Sequence, residues 1–264
     1  MKTVIKLILV NLLVTQIVAP FLVAIPLAIY MVATTGSVDT DALSYRLLIP
    51  ALILGQLFMI AYLWRCRYFS TDREAWCPVS PGLGIWAILA IFTTGMLVSE
   101  LSARLPWIPD IMKQTFDILQ SGWTGILAIV LIGPVMEELL FRGAITRLLL
   151  HRFRRPAAGI LISALIFGVC HFNPAQMLPA FLLGILLGWV YYRTRKLSVC
   201  ILMHVFNNSL SVFLSLAYPE MEEMKDFFGG YVPAYFVFLS LSAAVLALSV
   251  AKIGRTSQAR QTMV

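Results

Sequence analysis

The chain has 264 residues, 60% of them hydrophobic and 12% charged, with a formal net charge of +7. A soluble domain is about 45–50% apolar and about 25% charged, so this composition, with a mean hydropathy of +0.87, excludes an ordinary soluble globule and implies a polytopic membrane protein. The surplus positive charge sits in short connections between apolar runs, where it reports topology and not a nucleic-acid-binding surface.

A hydrocarbon core about 30 Å thick takes roughly 20 apolar residues per helical crossing. Eight segments qualify in chain order: Val4–Val32, Tyr45–Trp64, Leu83–Leu101, Gly122–Leu150, Pro156–Phe172, Ala175–Arg193, Leu197–Ala217 and Tyr231–Ala251. The first follows Lys2 and Lys6, as a signal peptide would. Its apolar run is much longer than a signal core of about 7–15 residues and lacks a small-x-small cleavage site, so it is expected to remain as a helix. The connections alternate in charge. An acidic loop (Asp39, Asp41) is followed by a basic one (Arg65, Arg67, Arg73), a mixed one (Arg104, Asp110, Lys113, Asp117) and "HRFRRP". A near-absent "NP" loop, "RTRK", an acidic loop (Glu220, Glu222, Glu223, Asp226) and a basic end (Lys252, Arg255, Arg260) complete the series. Positive charge collects on the cytoplasmic side, so the expectation is an all-α bundle of about eight transmembrane helices with both termini cytoplasmic, set in a bacterial inner membrane. The stretch from Glu100 to Gln120 is expected along the outer interface. The polar tail "GRTSQARQTMV" is expected to be disordered. Cys66 and Cys77 fall in a cytoplasmic loop where thiols stay reduced, and Cys170 and Cys200 read as small apolar fillers, so no disulfide framework is implied.

Residues 133 to 145, "GPVMEELLFRGAI", place three ionisable side chains in the fourth segment. At a helix centre each costs about 2.5–3.5 kcal/mol, together near 8–10 kcal/mol before pairing, which the apolar remainder only just offsets. Glu138 and Arg142 are four apart with the acid toward the amino terminus, the favourable order for a pair on one helix face. Glu137 is rotated about 100° away and has no partner on its own helix. Pro134 lacks an amide hydrogen and is expected to kink the helix, freeing the Val130 carbonyl. Such breaks are tolerated at depth where protein or water satisfies them; a simple packing kink is the alternative.

Of the three histidines, His151 belongs to the basic loop, His171 ends the fifth segment in "FGVCHF", and His204 lies in "MHVFNN" with Asn208 on the same helical face. Counting about 1.5 Å per residue from the helix ends brings Glu137, His171, His204 and Asn208 into the inner half to middle of the bilayer. A carboxylate, a histidine and a His–Asn pair are the parts needed for attack of water on an amide. Glu137 would take a proton from water, His171 would hold or polarise that water, and His204 and Asn208 would donate to the oxyanion. H-E-x-x-H is absent, so a zinc site would have to gather Glu137, His171 and His204 from separate helices; Asn208 suits an oxyanion donor better than a metal.

E-E-x-x-x-R (Glu137, Glu138, Arg142), F-x-x-x-H (Phe167, His171) and H-x-x-x-N (His204, Asn208), in that order, resemble the three motifs of the CPBP family, the CAAX prenyl endopeptidases and bacteriocin-processing or Abi-type intramembrane proteases. The resemblance covers roughly Gly122 to Ala217 and implies an eight-helix endopeptidase acting on a membrane-embedded or lipidated peptide. Glu137 and His171 would activate water, His204 and Asn208 would form the oxyanion hole, and Glu138, Arg142 and Phe167 would support them. No cofactor is expected, with zinc as the alternative. The implied organisation is an N-terminal part, 1–121, a catalytic core, 122–217, and a last helix with its tail, 218–264. Two rival readings are a non-catalytic protein of bacteriocin-immunity or scaffold type and a proton-coupled transporter. The second would ordinarily show a repeat-related broken helix, which the sequence does not.

Overall fold

A computed structural model describes residues 1–70, 73–221 and 224–255. The tail beyond Arg255, and Glu222 and Glu223 of the acidic loop, lie outside the described residues. Among the described residues the chain is helical without strands. Its main helices are α1 (Lys2–Thr35), α2 (Thr40–Arg65), α3 (Pro81–Ala103), α4 (Trp123–Arg152), α5 (Pro156–Val169), α6 (Pro174–Thr194), α7 (Leu197–Ala217) and α8 (Val232–Gly254). Seven are long and apolar enough to cross a membrane; α5 is apolar but has 14 residues. At 1.5 Å per residue α5 is about 21 Å long, and it stops before His171 instead of continuing to Phe172 as the sequence reading has it. A short amphipathic helix, Lys113–Gln120, lies in the stretch expected at the outer interface, and Trp107 and Trp123 beside it are exposed.

The helix limits follow local chemistry. Asp39 caps α2, its Oδ1 accepting the Asp41 and Ala42 amides at 3.0 and 3.1 Å. Pro81, Pro156 and Pro174 stand at the first turns of α3, α5 and α6, where the missing amide hydrogen costs nothing. Gly36, at φ +78°, ends α1.

In a bilayer, helices associate through close packing of small residues and through interhelical hydrogen bonds. Gly55 of α2 meets α1 at Thr15 and Ala19, and Gly168 and Gly184 bring the α5–α6 hairpin into backbone contact. Apolar side chains such as Ile5, Leu9, Phe21 and Ile29 remain exposed along α1, a surface for acyl chains. The inside is organised around α4. Leu139, Leu140, Phe141 and Ile145 form one apolar cluster with Leu7, Met59 and Phe167. A second cluster joins α3, α6, α7 and α8 through Ala87, Ile91, Leu187, Met203 and Ile253.

α4 is not a regular helix. It passes through π-helical turns at Ala128–Ile132 and Leu139–Thr146, on either side of the α-helical Gly133–Glu138. The first absorbs Pro134: the Gly133 amide reaches back to the Ala128 carbonyl, five residues away. In that register the carbonyl facing the missing proline donor is Ile129, not Val130 as a regular helix would have it. Asn208 of α7 supplies the hydrogen bond from Nδ2 to the Ile129 oxygen at 3.0 Å.

A methyl group on Gly168 would lie 2.6 Å from the Met177 carbonyl oxygen, whereas one on Gly82 would meet open space. Gly168→Ala is therefore expected to cost about 1–3 kcal/mol in overpacking, read as a lower unfolding midpoint in detergent, with Gly82→Ala within about 0.5 kcal/mol of the parent.

Candidate active site

Phe167 is the ring around which the polar residues assemble. It meets Phe141 and His171 edge-on with centroids 4.8 Å away in each case, and His204 at 5.9 Å. The Arg142 guanidinium lies over its face at 4.6 Å, a cation–π contact strengthened by the absence of water. One aromatic side chain on α5 thus touches residues of α4, the hairpin and α7.

Glu138 is 0% exposed and Arg142 nearly so. Arg142 Nη1 donates to Glu138 Oε1 at 2.6 Å, the i,i+4 pair expected from sequence, and Nη2 donates to the Gly184 carbonyl of α6 at 3.3 Å. The pair is not isolated: His204 Nδ1 bonds the same Glu138 oxygen at 2.7 Å. Glu138 is therefore the link between α4 and α7, and His204 is held by it as well as aligned with Asn208. One turn further along α4, Thr146 Oγ1 and Ser163 Oγ share a hydrogen bond of 2.7 Å with α5.

Glu137 has a different environment. Its side chain is 29% exposed, and its Oε2 lies 3.8 Å from His204 Nε2. The partner absent from its own helix comes from α7. The imidazole of His204 thus bridges two consecutive glutamates, one buried and paired, the other open. His171 Nδ1 donates to the Phe167 carbonyl at 2.8 Å, which leaves its Nε2 lone pair free. Its ring joins the cluster through Phe167, and no hydrogen bond or ion pair connects it directly to Glu137 among the described residues.

Asn208 stands beside the break in α4, one of its two amide hydrogens used on Ile129. Asn207 donates from Nδ2 to Asn208 Oδ1 at 3.3 Å, which orients the Asn208 amide. Asn207 fits because Gly95 of α3 has no side chain: a Cβ there would come within 3.3 Å of Asn207 Oδ1. Sequence reasoning passed over Asn207, although the "NN" doublet was its signal. The site thus brings together Glu137, Glu138, Arg142, Phe167, His171 and His204, with Asn208 against the broken turn. His151 is exposed at the basic end of α4, apart from them. Among the described residues no three His, Cys, Asp or Glu side chains converge as metal ligands. His204 Nδ1 is engaged by Glu138, and its Nε2 lies 3.8 Å from Glu137 Oε2. The four cysteines are free, with Cys200 buried and its Sγ 3.6 Å from the Leu187 carbonyl, in keeping with a filler.

Fold and site together define a multi-pass helical membrane protein with a buried Glu–Arg–His centre and an adjoining open carboxylate. Residues 119–210, which contain every candidate site residue, match the family model "Type II CAAX prenyl endopeptidase Rce1-like". The chain is 31% identical over 145 residues to "Putative membrane peptidase YdiL" of Bacillus subtilis (strain 168), covering 52% of this chain and 59% of the relative. It is 32% identical over 101 residues to "Membrane-embedded CAAX protease MroQ" of Staphylococcus aureus (strain USA300), covering 36% and 40%. The chain thus spans about half the length of the curated relatives it matches. No solved structure matches it. The resemblance carried by the three motifs is borne out over the helices that hold them.

Breaking a buried pair by removing one partner strands a charge and costs about 3–5 kcal/mol. Arg142→Ala is expected to lose most of the folded protein, while Glu137→Gln, at a partly exposed side chain outside the buried pair, should match the parent. Monodispersity and thermal unfolding in detergent distinguish the two.

Proposed function

We propose that this protein is an intramembrane endopeptidase that hydrolyses a peptide bond of a membrane-associated peptide by attack of activated water, with a prenylated C-terminal CAAX peptide as the substrate form. The observation that carries the reading is the division of labour between neighbouring glutamates: Glu138 is sealed in an ion pair, and Glu137 is partly open 3.8 Å from an imidazole. The names of the family model and of the staphylococcal relative support the substrate form.

In the proposed reaction Glu137 takes a proton from water as the water oxygen bonds the scissile carbonyl carbon. The His171 Nε2 lone pair accepts the second water hydrogen and holds the nucleophile in line. The carbonyl oxygen becomes an oxyanion, met by the second amide hydrogen of Asn208 and by His204 Nε2–H. His204 Nδ1 is held on Glu138, so the ring presents its Nε2 edge to the oxyanion. Glu137 then returns its proton to the leaving nitrogen, the C–N bond breaks, and the remaining hydroxyl proton passes by way of His171 to the amine, so that a carboxylate and an ammonium group are released. No step is routed through a metal. Residues 122–217 serve as the catalytic core between the parts 1–121 and 218–264. The basic ends of the helices face the cytoplasm of a bacterial inner membrane, so the site is reached from that side.

The test is cleavage of a prenylated CAAX peptide by purified protein in nanodiscs. Glu137→Gln is expected to lower kcat by about 10²–10⁴-fold and Asn208→Ala by about 10²–10³-fold, while a zinc chelator leaves the parent active. Loss with chelator, reversed by zinc, would replace the water mechanism with a metal one. Turnover by Glu137→Gln at the parental rate would contradict the role given to Glu137, and an absence of cleavage by the parent would favour the non-catalytic reading.

A further inference from the structure

The hairpin joining α5 to α6 carries His171, two residues past the end of the 14-residue α5. The chain reverses tightly there. The His171 amide donates to the Gly168 carbonyl and the Phe172 amide to Val169, each at 3.2 Å, and Phe172 takes φ +53°. A bulky L residue in the left-handed region persists only where its surroundings over-determine it. The next residue, Asn173, is 0% exposed and stands at the N-cap of α6.

Asn173 does not use its side chain as an N-cap residue usually does. Only its backbone oxygen serves the helix, accepting the Gln176 and Met177 amides at 2.9 and 3.0 Å. The side chain turns instead to the loop between α3 and α4. Its Oδ1 accepts the Ile111 amide at 3.2 Å, and its Nδ2 donates to Asp110 Oδ1 at 2.8 Å. Asp110 Oδ1 also accepts the Met112 amide at 3.0 Å, which folds the loop around that oxygen. Both ends of a fully buried amide are thus given to a segment more than sixty residues away in sequence. The site chemistry described above makes no use of them.

We propose that Asp110 and Asn173 form a latch through which the α3–α4 loop positions His171. The latch fixes the chain two residues beyond the imidazole. The reversal at Phe172 is thereby held, and His171 keeps its Nδ1–H on the Phe167 carbonyl and its edge against the Phe167 ring. Asn173 touches no reacting atom, so it is a positioning residue. Its effect on catalysis rests on the peptidase reading; its effect on the geometry of His171 does not.

The experiment uses the full chain in nanodiscs with ¹⁵N-labelled histidine, since only three imidazoles contribute to the spectrum. In the parent, His171 should appear as a single tautomer protonated at Nδ1. In Asp110→Ala and Asn173→Ala its nitrogen signals should move toward a tautomer average, with kcat on the peptide down about tenfold at unchanged KM. The double variant should be no worse than either single one. Asp110→Asn, which keeps an acceptor oxygen, should restore both the spectrum and the rate. Asp110 is exposed, so its variants remain informative if Asn173→Ala does not fold. His171 signals unchanged in Asp110→Ala would overturn the latch, and altered signals at unchanged kcat would overturn its part in catalysis. If the parent cleaves nothing, the peptidase reading fails while the spectra still decide the latch.

Discussion

A single buried carboxylate oxygen, Glu138 Oε1, accepts hydrogen bonds from Arg142 and His204 in the interior of a membrane protein. In hydrocarbon neither charge of the pair is tolerable alone, so the pairing constrains where α7 sits relative to α4. The guanidinium extends the constraint to α6 through the Gly184 carbonyl and to α5 through the Phe167 ring. Four helices are registered by groups that have no alternative partners in lipid. Their cost is the reason the arrangement is specific.

That registration lets the neighbouring Glu137 have a separate role. Two consecutive residues of a helix point about 100° apart, so one can be sealed while the other opens. The π turns on either side add to this. The first lets α4 pass Pro134 without an orphaned carbonyl, because Asn208 donates to Ile129. The second keeps all of Leu139–Thr146 buried between neighbouring helices. Irregular backbone at this depth is permitted where protein or a polar cavity satisfies it. Here the residue that satisfies the break, Asn208, is also the one assigned to the oxyanion in the proposed reaction.

Much of this was legible in the sequence because bilayer energetics leave few choices. Long apolar runs and alternating loop charge gave the helices. The i,i+4 spacing gave the Glu138–Arg142 pair, and the scarcity of polar groups singled out His171, His204 and Asn208. A common depth for residues of separate helices was legible, but the particular bonds between helices were not. His204 was read as an oxyanion donor from its spacing to Asn208, but spacing along one helix does not reveal a bond to Glu138 on another. Val130 was read as the freed carbonyl by assuming regular α-helical register, and one extra residue in a π turn moves that position to Ile129. The length of α5 was overestimated because "GVCHF" is apolar, although Phe172 reverses the chain through a left-handed turn that apolarity does not predict. Asn173 falls in the near-absent "NP" loop, and nothing in its spacing reveals the bond to Asp110 in the α3–α4 loop.

The account depends most on solvent reaching the carboxylate of Glu137 within the bilayer, and the direct measurement is thiol accessibility at that position. In a background free of the native cysteines, Glu137→Cys in sealed vesicles should react with a charged, membrane-impermeant thiol reagent applied from the basic side. Protection from that reagent, together with ready labelling by a lipid-soluble maleimide, would place the side chain among acyl tails and contradict the account.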